Sequence, residues 1–136
     1  MRIPRGPDDG VRDDTPPADL ARTTAAISAA ADRFVGVNSY EHLLVHLLDL
    51  LESGRVDRES ALAEFDRLAS DWPPGAAEAL EFTMHRLRWP EVRRTLEDHR
   101  QHGTDFRTRD LAAQVLEAFD DEWPAGDIYR TYREVG

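Results

Sequence analysis

A compact all-α bundle of six to seven short antiparallel helices around a single core is the fold class this sequence predicts. Three observations carry it. Apolar side chains recur at three- and four-residue spacing over most of the chain. No segment combines sustained two-residue alternation with β-branched residues, so no sheet is expected. The connections are short and rich in Gly, Pro and Asp, which favours antiparallel neighbours. A length of 136 residues suits one domain with a modest core.

Residues 1–15 hold Pro, Gly, Asp and Arg with few core-forming side chains, and we read them as a disordered tail. The helical domain is then 16–136. Thr15-Pro16-Pro17 opens the first helix, with Leu20, Thr24, Ile27, Ala31 and Phe34 at helical spacing before Gly36. Ser39 is placed to cap the second helix, where Tyr40, Leu43, Leu44, Leu47, Leu48 and Leu51 form a broad stripe. Gly54 suits the position just past its end. Asp57 caps a third helix that buries Leu62, Phe65, Leu68 and Ala69.

The stretch Gly75–Gly103 is the expected centre of the fold. Ala76, Ala77, Leu80, Thr83, Met84 and Leu87 share one side of a helix, while Ala79 and Phe82 lie off that stripe. A helix that is apolar beyond one stripe has neighbours on more than one side. Trp89-Pro90 interrupts the pattern, because proline lacks an N–H and suits a helix's first turn. The expectation is a helical hairpin or a sharp kink, with Val92, Leu96 and His99 on a narrow face of the second arm. Asp105 then caps a helix carrying Leu111, Ala112, Val115, Leu116, Ala118 and Phe119. A final helix, DIYRTYREV, offers Ile128, Tyr129 and Tyr132 for docking. The core expected from these stripes is Leu44, Leu47, Leu51, Leu62, Phe65, Leu80, Met84, Leu111, Val115 and Phe119.

All three tryptophans precede proline, at Trp72, Trp89 and Trp123. Each pair is read as a helix start, with the indole packed beneath the incoming chain. The competing reading is a set of exposed anchors for a partner. His42, His46 and Asp49 share the face opposite the leucine stripe, and their spacing suits one zinc ion. A zincin places Glu directly after the first His, and Leu43 stands there instead. We expect both histidines to be exposed and metal-free, with no cofactor. His85 and His99 read as structural histidines. No nucleophile elbow, Walker loop or dinucleotide fingerprint is present, and the absence of cysteine removes thiol chemistry and disulfides.

Charge is the better functional clue. The net charge is −10, which disfavours nucleic-acid binding and favours basic partners. Residues 85–109 carry a net +3, and residues 110–136 a net −5. Asp120, Asp121 and Glu122, with Trp123 at the edge, form the candidate partner-binding patch. No apolar run approaches a membrane span and no apolar leader opens the chain, so a cytoplasmic location is expected.

The runs EFTMHRLRWPEVRRTLE and LAAQVLEAFDDEWPAGDIYRTYR resemble small all-helical actinobacterial proteins of immunity-protein type, over about residues 76–133. Immunity proteins bind and neutralise a cognate toxin. The resemblance implies a non-enzymatic interaction module, an immunity-like or antitoxin-like inhibitor, and it transfers no site residues; the charge pattern makes the partner it would occlude a basic protein. Two other readings are a metal- or small-ligand-binding helical enzyme using His42, His46 and Asp49, and a structural homodimeric subunit joined through Phe82 or Tyr129–Tyr132.

Overall fold

A computed structural model describes residues 16–33 and 36–133. The expected tail, residues 1–15, and Phe34 lie outside the described residues. Among those described there are seven α-helices and no strand: α1 Pro16–Arg33, α2 Glu41–Glu52, α3 Arg58–Asp71, α4 Ala76–Leu87, α5 Pro90–His102, α6 Phe106–Leu116 and α7 Arg130–Arg133. Short 3-10 segments cover Val37–Ser39, Glu117–Phe119 and Pro124–Ile128. The buried apolar side chains form one continuous core. Leu44, Leu47, Leu51, Phe65, Leu80, Met84, Val115 and Phe119 belong to it as expected, while Leu62 and Leu111 are only partly buried and pack against its margin.

α4 is the hub. It packs on α1, α2, α3, α6 and the 3-10 turn that follows α6. That surround explains its composition: every residue from Ala76 to Met84 except Glu78 is buried. Buried Thr83 sends its hydroxyl back to the Ala79 carbonyl at 2.8 Å, so it leaves no unpaired donor.

The break after α4 is complete. Arg88 ends the helix in the left-handed region (φ 50°), Trp89 occupies the N-cap position and Pro90 opens α5. α5 then packs mainly on α6 and α3, so the central stretch is a break between differently partnered helices rather than a hairpin. Arg58 of α3 reaches across to Glu91 at 2.8 Å and lies 4.3 Å over the Trp89 ring. Its hydrogen bonds hold the Glu91 carboxyl down at about 2.

Three local expectations need correction. Ser39 does not cap α2; it closes the 3-10 turn, donating its N–H to Gly36 O, and Tyr40 takes the N-cap position without a side-chain bond. The Tyr40 ring is instead buried in the core. Trp72-Pro73 does not start a helix. Trp72 ends α3 in the left-handed region (φ 49°), its N–H donating to Leu68 O at 2.9 Å, and α4 waits until Ala76. Ile128 does not dock: it is 50% exposed. The chain there is 3-10 rather than α, with three residues per turn. Trp123, Gly126 and Tyr129 therefore point inward at a spacing of three, with Tyr132 next in the same register.

Two caps are where the sequence placed them. Asp57 accepts from the Ser60 N–H at 2.9 Å and Asp105 from the Thr108 N–H at 2.7 Å. These bonds hold both carboxyls below their ordinary range. Replacing either Asp with Ala is expected to lower Tm by roughly 3–6 °C, and replacing it with Asn by less. A thermal melt of each variant checks this; equal melting of the Ala variants and the parent would remove the caps from the account.

Candidate functional site

The C-terminal arm, residues 123–132, closes over α4 and α2 through a chain of aromatic rings and two carboxylates. Phe82 of α4 meets Tyr129 at 5.3 Å and Tyr132 at 5.0 Å between ring centroids. His85, one turn further along, lies 4.8 Å from both Trp123 and Tyr132. Its Nδ1 is 2.8 Å from the Ala118 carbonyl. A carbonyl only accepts, so Nδ1 carries the hydrogen and a neutral ring keeps its lone pair on Nε2. The Tyr132 hydroxyl donates to the Phe82 carbonyl.

Glu81 is the unusual member of this region. It is 4% exposed. Its carboxylate accepts from Tyr129 Oη at 3.0 Å and from Gln114 Nε2 of α6 at 2.8 Å. None of the ion pairs among the described residues includes it. Burial pushes the carboxyl up to about 7; Gln114 and Tyr129 pull against that, while Glu78 and Glu117 add to it. The reciprocal effect raises the Tyr129 hydroxyl far above its ordinary value, with burial the largest cause and Glu81 next.

Glu41 of α2 grips the arm further along. Its carboxylate accepts from the Arg130 and Thr131 N–H groups, at 2.9 and 2.8 Å, and from the Thr131 hydroxyl at 2.8 Å. Burial raises this carboxyl, but the three hydrogen bonds outweigh it and leave it below its ordinary value. Sequence reading missed both carboxylates. Glu81 stands one turn from Glu78, which is not buried, so in the sequence it looks like part of a polar flank.

The acidic turn lies beside this arm. Asp120, Asp121 and Glu122 are all exposed. Arg88 ties the turn to the end of α4, bonding Asp121 Oδ1 at 2.6 Å and donating to the carbonyls of His85 and Asp120. Trp123 is only 8% exposed and packs on His85, so its ring offers no anchoring surface at the edge of the patch. Phe82 and Tyr129 are fully buried, which takes both out of any surface joining two copies.

An open groove of about 680 Å³ is lined by His85, Arg86, Arg88, Asp121 and Tyr132. Its guanidinium groups are already engaged, Arg86 with Glu52 at 3.2 Å and Arg88 with Asp121. His42, His46 and Asp49 are exposed on α2, as their position opposite the leucine stripe requires. His46 turns towards Asp19 of α1, 3.8 Å away. Among the described residues no group of three or more His, Asp or Glu side chains is arranged to hold a metal ion, and no helix is long and apolar enough to cross a membrane. Compared with family models, with curated proteins and with solved structures, the chain matches none.

Proposed function

We propose that this protein is a non-enzymatic binding module, an immunity-like or antitoxin-like inhibitor that occludes a basic protein partner with its acidic C-terminal surface. The observation that carries the reading is the Asp120-Asp121-Glu122 turn, which exposes three carboxylates and is joined to the end of the hub helix by Arg88 through the Asp121 carboxylate and the Asp120 carbonyl. A charged turn held on a rigid element presents a defined field to an approaching cation. The overall charge of −10 acts in the same direction at longer range.

Affinity capture from the native host supplies the partner, and stopped-flow association kinetics supply the test. Changing Asp120→Asn, Asp121→Asn and Glu122→Gln together should slow association by roughly three- to ten-fold at low salt. The difference should shrink as salt shortens the Debye length to ~8 Å and below. Asp121 is partly neutralised by Arg88, so Asp120→Asn with Glu122→Gln should retain most of the effect. Identical rates and salt slopes for parent and variants would remove this surface from the binding site and make the Arg-rich 85–109 segment the next candidate.

A further inference from the structure

We propose that Glu81 and Glu41 make the C-terminal arm a pH-gated clasp, docked most firmly in mildly acidic solution and loosened as the pH rises to neutral. The geometry is that of one strap held by two carboxylates from two helices. Glu81 of α4 takes the Tyr129 hydroxyl inside the core, and Glu41 of α2 takes the Arg130 and Thr131 N–H groups nearer the surface.

The two grips respond to pH with opposite sign. Glu81 is buried without a cation, and its charged form loses more by desolvation than two neutral donors return. Opening the arm gives this carboxyl water and lets it fall back towards an ordinary value. Docking therefore takes up a proton, and it weakens as pH rises through the region where the closed form gives that proton up, about 7. When protonated, Glu81 still accepts from Gln114 on one oxygen. Glu41 behaves in the reverse way. Its closed-state carboxyl lies below the ordinary value, so its contribution is present above that value and lost on acidification. Between the two lies a window of firmest docking.

The groups facing Glu81 can be named for each neighbour. Glu78 lies on its own helix, Gln114 and Glu117 come from α6 and the turn after it, and Tyr129 comes from the arm. Tyr40, ahead of α2, feels the Glu81 charge and is itself pushed up to about 12, chiefly by burial. No cation stands among them to hold Glu81 ionised. His85 also lies against the arm, through Trp123 and Tyr132. Arg86, Glu52 and Glu41 surround Tyr132.

The test is NMR on the full chain between pH 5 and 8.5. The Trp123 indole and Tyr129 ring signals report docking, and the Glu81 side-chain carboxyl carbon reports its own titration. Expected is a docking constant that falls with pH by up to about 10²-fold, the limit set if the open arm returns Glu81 to an ordinary carboxylate value. The Glu81 carbon should titrate near neutrality, and Glu81→Gln should abolish the response while leaving His85 in place. A fall in docking with rising pH that persists in Glu81→Gln would overturn the proposal. If that variant fails to fold, the carboxyl carbon of the parent decides: titration in the ordinary carboxylate range sinks the idea.

Discussion

Replacing Phe82 with Ala is expected to destabilise the protein by about 3–5 kcal/mol. Phe82 is fully buried on the hub helix, where its ring is met edge-on by Tyr129 and at a tilt by Tyr132. Truncation removes the largest apolar group on that face and leaves a cavity that two tyrosines cannot fill. Each is held elsewhere, Tyr129 by its bond to Glu81 and Tyr132 by its bond to the Phe82 carbonyl. The loss therefore combines the transfer term, the cavity term and two ring contacts. Urea unfolding of the variant measures it. Phe106→Ala is the control: that ring is 74% exposed, and its loss should change stability by no more than ~0.5 kcal/mol. A Phe82→Ala cost below ~1 kcal/mol would mean that the arm and α4 are not packed as described.

The second large effect is at Gly75, where backbone and packing penalties coincide. Gly75 holds φ +80° at the start of α4, and an added Cβ would lie 2.9 Å from Ile27 Cγ2 and 3.0 Å from Ala31 Cβ on α1. Gly54 has nearly the same backbone, φ +76°, with nothing within 4 Å. Gly54→Ala should therefore cost only the left-handed penalty, about 1 kcal/mol. Gly75→Ala should cost about 2–4 kcal/mol, because the methyl must also push α1 away from the hub. Denaturant midpoints of the two variants measure the packing part as their difference. Equal costs would show that α1 yields freely and that the close approach is not structural.

What the sequence made legible follows the range of each interaction. The Asp57 and Asp105 caps depend on a partner three residues away, and both are as expected. The helical stripes depend on four-residue spacing, and they locate the helices and most of the core. Ile128 failed because a periodicity of 3.6 was assumed where the chain runs at three. Trp72-Pro73 failed because proline before a helix and proline after one look alike locally; only the wait until Ala76 decides between them. The Glu81 and Glu41 bonds join residues 48 and about 90 positions apart, and no spacing rule reaches that far. The acidic turn was legible as charge. The Arg88 tether that fixes it was not, because that bond spans a helix break and 33 residues.

The arm's long reach in sequence also bears on the order in which this protein is built. Its bonds to α2 and α4 close the widest loops among the polar contacts described, and loop-closure entropy must be met before such contacts give any return. Neighbouring pairs such as α5 with α6 and α1 with α2 face no such delay. As the chain leaves the ribosome, the segments of α1 to α6 emerge before residues 123–132 do. Until those residues emerge, Phe82 has neither tyrosine partner and the Glu81 carboxylate lacks Tyr129. In kinetic terms, substitutions in the arm should accelerate unfolding and leave the folding rate almost unchanged.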